Sequence, residues 1–139
     1  MAGPGLNSSF WAARRVFVTG HTGFMGGWLA ADLARLGADV SGYALPPPTD
    51  PNLFTAAHIE NICRTAIGDV RDRNSIAATM RDADPEVVFH LAAQPLVRRA
   101  HAEPVETYST NVMGTVHLMD AARELPSLKA IVVVTTDKV

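Results

Sequence analysis

The tightest constraint on this chain lies near its start, in the run Val16-Phe17-Val18-Thr19-Gly20-His21-Thr22-Gly23-Phe24-Met25-Gly26. A short apolar segment that ends at a glycine predicts a buried strand, here over Arg14 to Gly20. After Gly23 the apolar residues Trp28, Leu29, Leu33 and Leu36 recur at helical spacing, which predicts a helix from Gly23 to Leu36. Gly37 is a natural stop for that helix. The glycines between strand and helix are three apart, and each position has a physical use. Gly20 can turn tightly off the strand, Gly23 lets backbone approach a pyrophosphate, and Gly26 lets the helix pack closely on the sheet. The helix N-terminus then offers unbonded amides and roughly half a positive charge to phosphate oxygens. The bland alternative is that the glycines only punctuate a loop. A strand before them and a helix after them favour dinucleotide binding.

Downstream, the pattern alternates. A second strand is expected at Asp39 to Tyr43, followed by a stiff loop, Ala44 to Asn52, in which three consecutive prolines cannot donate to a ladder. A short helix is expected near Leu53 to His58, a weaker strand at Cys63 to Ile67 and a helix at Asn74 to Asp82, capped by Asn74 or Asp72. A fourth strand follows at Val87 to Leu91, a long helix at Pro104 to Arg123 and a fifth strand at Ala130 to Thr135. Such alternation implies an α/β fold with a parallel sheet and right-handed crossovers. Residues 1–13 read as a lead-in, and 14–139 as one domain.

Composition closes off several function classes. Twelve basic and fourteen acidic residues leave a net charge of −2, which argues against a broad nucleic-acid surface. The single cysteine, Cys63, rules out an internal disulfide and suits a reducing compartment. No apolar run approaches the roughly 18 residues of a spanning helix, and the first residues lack the pattern of a secretion signal. The expectation is a cytoplasmic protein with neither nucleic acid nor membrane as partner. His21 sits in the glycine turn and could touch a phosphate, and a small role within the motif is favoured over catalysis; His90, inside an apolar strand, reads as a satisfied core histidine. His58, His101 and His117 show no metal-ligand spacing. Arg98 and Arg99 read as a solvated turn, with a phosphate role as the less favoured alternative. The second strand ends Ser41-Gly42-Tyr43-Ala44. It has no carboxylate for the ribose of NAD and no arginine for the extra phosphate of NADP, so the residues only lean toward NAD.

With the glycine turn in place, four further segments carry a resemblance. They are "GDVRD" (Gly68 to Asp72), "HLAAQ" (His90 to Gln94), "NVMGT" (Asn111 to Thr115) and "TTDKV" (Thr135 to Val139). In order and spacing the chain resembles the extended short-chain dehydrogenase/reductases of the NAD-dependent epimerase/dehydratase superfamily, from about Ser9 to Val139. Within it, "GYALPPPT", "HLAAQPLVRR" and Asp137-Lys138, where relatives carry Asp-Glu, look like the CDP-glucose 4,6-dehydratases. The resemblance implies a Rossmann-like, doubly wound parallel sheet, NAD as cofactor and a nucleotide sugar, CDP-glucose, as substrate. It implies cofactor contacts at Thr19, Gly20, Gly23, Phe24, Met25 and Gly26 around the pyrophosphate, and at Asp69 and Val70 on the adenine side. Leu91, Ala92, Ala93 and Gln94 would line the ribose and nicotinamide, with Asn111 and Thr135 beside the cofactor. It makes Thr136 the partner of a sugar hydroxyl, Asp137 the general acid and Lys138 the group that takes the proton from the sugar.

Three departures stand out. The family turn carries Lys at the position of Met25 and Ser at that of Gly27, so one positive charge near the phosphates is missing. The family's catalytic Tyr-x-x-x-Lys lies beyond the fifth strand. Tyr43 and Tyr108 are the only tyrosines here, and Pro47 and Val112 stand four residues after them. The expectation is a sheet truncated after its fifth strand and a chain inactive alone. A shortened gene product, a fragment, or one piece of a split enzyme completed by a C-terminal half are the open alternatives. The fifth strand would be left as an uncovered apolar edge, and self-association is a further expectation. The rival functions are another sugar-nucleotide epimerase or reductase, and a non-catalytic dinucleotide-binding module.

Overall fold

A computed structural model of the chain describes residues 8–136. A short helix, α1 (Ser8–Trp11), leads into β1 (Arg15–Thr19), α2 (Phe24–Arg35) and β2 (Asp39–Ala44). The triple-proline loop carries no regular element. It is followed by α3 (Leu53–Ala56), a single 3₁₀ turn (Ile59–Asn61), β3 (Arg64–Ile67), α4 (Arg73–Ala83) and β4 (Val87–His90). Two short helices, α5 (Val97–Ala102) and α6 (Pro104–Tyr108), precede a π turn (Ser109–Met113), α7 (Gly114–Ala122) and β5 (Ala130–Val133).

The five strands form one parallel sheet in the order β3-β2-β1-β4-β5. The chain builds outward from β1 to β3, then crosses to the other side of β1 for β4. The order therefore reverses between β1 and β4, and in such sheets ligands gather at the carboxyl ends of those two strands. This is the Rossmann-like doubly wound fold expected from the sequence.

Alternation along β1 assigns its side chains to two cores. Phe17 joins Tyr43, Ile76, Met80, Val88 and Leu118 under α4 and α7. Val16 and Val18 join Ala30, Leu33, Val40 and Ile59 under α2 and the 3₁₀ turn. Two helix ends carry the signals read from sequence. Asp72, rather than Asn74, caps α4 by accepting the Ser75 amide at 3.0 Å. Gly37, with φ at +88°, closes α2 in the left-handed region that favours glycine.

Two expectations need correction. Arg98 and Arg99 do not lie in a turn but on α5, where Arg99 binds Glu103 at 3.3 Å and Glu106 at 2.6 Å. Arg99 thus reaches past the end of α5 to the residue that caps it and to α6, a link between two short helices that the apolar pattern does not carry. The long helix expected from Pro104 to Arg123 does run as one helical rod, but it widens into the π turn at Ser109–Met113. β5 lies beside β4, with Val132 and, just past the strand, Val134 nearly half exposed.

Candidate cofactor site

The glycine turn between β1 and α2 is built by close backbone approach. At Gly20, φ is +78°, and a Cβ would stand 2.9 Å from the Ala92 amide nitrogen and 3.0 Å from the Leu91 carbonyl carbon. A Cβ at Gly26 would stand 2.1 Å from the Gly20 carbonyl oxygen, so α2 can rest on the turn only without a side chain there. Gly23 differs from both. Its φ is an ordinary −83°, and an added Cβ would meet only the Gly20 oxygen, at 3.4 Å. Neither backbone conformation nor internal packing requires glycine at that position. What remains is the outer side of the turn, where α2 begins with no side-chain cap and no acidic residue in its first turn. Those free amides form a cradle suited to an anion. Phe24 and Met25 are well exposed on the same turn of helix. Gly27, where the family carries Ser, takes the Leu53 side chain: a Cβ there would stand 3.0 Å from Leu53 Cδ2.

His21 turns away from this cradle. Its ring is fully buried, edge-on to Phe54 at 5.5 Å, with Nε2 3.2 Å from Thr65 Oγ1. The opposite wall is Gly42, where a Cβ would come within 2.3 Å of the ring. Burial pulls the His21 pKa down to about 4, and its Nδ1 has no hydrogen-bond partner among the described residues. The possible phosphate contact of this histidine is thus replaced by a packing role. The glycine at position 42 was legible in sequence, but not as the space for a ring 21 residues earlier.

The β4 end is organised differently, by hydrogen bonds. Thr19 Oγ1 accepts the amides of Leu91 and Ala92, both at 3.1 Å, and lies 2.7 Å from His90 Nδ1. His90 Nε2 lies 3.0 Å from Thr115 Oγ1. The satisfied core histidine expected at position 90 is what the structure holds, and burial lowers its pKa. Asn111, inside the π turn, spends both amide atoms on Gln94: its Oδ1 accepts the Gln94 amide at 2.8 Å and its Nδ2 donates to the Gln94 carbonyl at 3.1 Å. Gln94 in turn donates to Leu96 O and Thr107 Oγ1, and accepts from the Leu96 amide. Thr107 and Thr115 were not among the expected site residues. They support the segment rather than face its cleft.

On the β3 side, the Asp69 carboxylate is gripped by Arg71 through its amide at 2.9 Å and its guanidinium at 2.6 Å, which holds its pKa below the usual carboxylate range. Val70 is buried in the core, and Gly68 is empty because the Tyr43 ring fills its Cβ space. The turn walls an open cleft of about 500 Å³ opposite Ser109, Met113 and His117. Thr135 and Thr136 follow β5 at the surface, while Asp137 and Lys138 lie outside the described residues. Among the described residues, no group of three or more histidine, cysteine or acidic side chains could hold a metal.

The glycine cradle therefore sits where the strand order reverses, in a sheet whose five strands are all parallel. The model of the NAD dependent epimerase/dehydratase family matches residues 16–139. The chain belongs to that family. Among curated members, the CDP-glucose 4,6-dehydratase of Salmonella typhimurium is 49% identical over 133 residues, covering 96% of this chain and 37% of that enzyme. The UDP-glucose 4-epimerase of Mycolicibacterium smegmatis is 36% identical over 110 residues, covering 78% of this chain and 34% of its own. Among solved structures, the UDP-glucose 4-epimerase of Brucella ovis in complex with NAD superposes with a TM-score of 0.73 at 28% identity, covering 86% of this chain and 35% of that one. The chain thus spans well under half the length of these family members.

Proposed function

We propose that the chain forms the NAD-binding part of a nucleotide-sugar 4,6-dehydratase that acts on CDP-glucose. The observation that carries the reading is Gly23, a glycine that the fold does not need and that an approaching pyrophosphate does. The free amides at the start of α2 would bind the pyrophosphate, and Thr19, Gly20 and Gly26 would hold the turn in shape. Phe24 and Met25 would flank it, with Asp69 and Val70 on the adenine side. Leu91, Ala92, Ala93 and Gln94 would line the ribose and nicotinamide, held by Asn111, with Thr135 at the end of β5. NAD, when bound, supplies reversible hydride acceptance. Thr136 would bond a sugar hydroxyl, Asp137 would give a proton to the departing hydroxyl and Lys138 would take one from the neighbouring carbon.

Likeness to the Salmonella dehydratase at 49% identity supports CDP-glucose over other nucleotide sugars. The residues that grip the sugar and start hydride transfer would come from the part of such an enzyme that this chain does not span, and the chain alone would have negligible turnover. The buried free thiol of Cys63 supports a reducing, cytoplasmic setting.

The test is NAD binding by titration calorimetry to the purified chain and to Gly23→Val. We expect saturable binding to the chain and a loss of at least about 100-fold in the variant, since a branched side chain there occupies the phosphate's approach. A folded chain that takes up no NAD would overturn the reading.

A further inference from the structure

The hydrogen bonds around His90 admit only one direction. A hydroxyl oxygen has two lone pairs and one proton. The amides of Leu91 and Ala92 both donate to Thr19 Oγ1, at 3.1 Å each, the Leu91 amide sharing its proton with the Thr19 carbonyl at 3.3 Å. Its proton must then go to the remaining neighbour, His90 Nδ1, at 2.7 Å. His90 therefore accepts at Nδ1, carries its proton on Nε2 and donates to Thr115 Oγ1 at 3.0 Å. Thr115 passes its own proton one turn back, to the Asn111 carbonyl at 2.9 Å. Asn111 closes the loop through its side chain, which brackets both backbone polar groups of Gln94.

The circuit encircles one stretch of chain. Leu91 and Ala92 hang from Thr19 at its start, and Gln94 hangs from Asn111 at its end. His90 is the link that passes between them, from β1 to the helix that carries the π turn. The π turn fits this account: a locally widened helix is a common device at functional sites, and here it contains the asparagine that clamps Gln94.

We infer that His90 is a positioning residue, a neutral imidazole whose one-way hydrogen bonds hold the Leu91–Gln94 backbone in the shape that the cofactor requires. The inference rests on the cofactor reading above. Its core, the direction of the circuit, stands on geometry alone. A proton added at Nδ1 would face the Thr19 hydroxyl, which has no lone pair left to accept it. The ring is accordingly confined to one tautomer. Thr115 is the piece to remove, because it lies a step from the lining segment and supplies the acceptor for Nε2.

The test uses the full chain. Ring nitrogen NMR at pH 7 should show His90 protonated on Nε2 and bare at Nδ1. In Thr115→Val, amide exchange at Leu91 and Ala92 should rise and NAD affinity should fall, each by roughly tenfold. Thr115→Ser, which keeps the hydroxyl, should restore both. A His90 ring protonated on Nδ1, or as the cation, at pH 7 would overturn the inference without any variant. So would a folded Thr115→Val whose exchange and affinity match the parent. Should the parent chain bind no NAD at all, the cofactor reading falls, while tautomer and amide exchange still decide the circuit.

Discussion

β1 has a buried histidine on either side, and the two are held in opposite ways. On the β2 side, His21 is a shape. It fills the hole left by Gly42, stacks edge-on to Phe54, makes one long hydrogen bond to Thr65 and leaves Nδ1 unpaired. On the β4 side, His90 is a conductor of polarity, with both nitrogens bonded and both partners fixed by further bonds. Packing tolerates a change of chemistry when volume is kept, whereas a satisfied polar network tolerates almost none. The two sides of one strand should therefore respond oppositely to the same substitution.

The largest effect is expected from Gly42→Ala, which drives a methyl to within 2.3 Å of the His21 ring. Urea unfolding should show a loss of about 3–5 kcal/mol. Most of that loss should vanish when His21→Ala is added, because the collision is with the ring. Equal losses in both backgrounds would mean that the ring is not the wall of Gly42.

Acid should come next. The His21 pKa falls from 6.5 in the unfolded chain to about 4 in the fold. Below 6.5 the unfolded chain takes up a proton that the fold refuses. The stabilisation is thus complete above pH 6.5 and lost as pH falls to 4, by about 3 kcal/mol. His90, also lowered by burial, adds in the same direction. Unfolding curves between pH 7 and pH 4 should flatten in His21→Phe. An unchanged slope in that variant would assign the acid sensitivity elsewhere.

The smallest effect should sharpen the contrast most. His21→Phe replaces one ring by another and removes an unpaired nitrogen, so at pH 7 its stability should lie within about 1 kcal/mol of the parent. His90→Phe breaks a bond at each nitrogen, leaving the Thr19 hydroxyl without an acceptor and the Thr115 hydroxyl without a donor, at about 2–4 kcal/mol. Thermal melts of the two variants check this directly, and equal melting temperatures would erase the distinction.

The architecture was legible because it is written in short-range signals. The apolar run at Val16–Val18, the glycines of the turn and the cap at Asp72 each act within a few residues. The candidate site was legible in part. Gly20 and Gly26 have the close approaches that their spacing implied, and His90 is the satisfied histidine that an apolar strand implied. What periodicity missed depends on partners far along the chain. The π turn at Ser109–Met113 is tied to Asn111 reaching Gln94, and no helical pattern encodes that reach. Gly42 and Gly68 look like weak points in a strand and a loop until His21 and Tyr43 are seen to fill their space. α5 was missed because it buries no residue, so no apolar face marks it in the sequence.

The central position of β1 has a consequence for how the molecule is made. Its hydrogen-bonded neighbours are not contemporaries: Thr19 meets His90 across 71 residues of sequence. Closing so long a span costs conformational entropy before any contact rewards it, and chains rich in such pairings fold slowly. During synthesis, the first strand emerges with its glycine turn but without the strand that completes its wall. The turn can acquire its final form only after residue 92 has left the ribosome, because the Leu91 and Ala92 amides are what anchor Thr19. β1 and its turn are thus made before the strand that completes them, and wait for it.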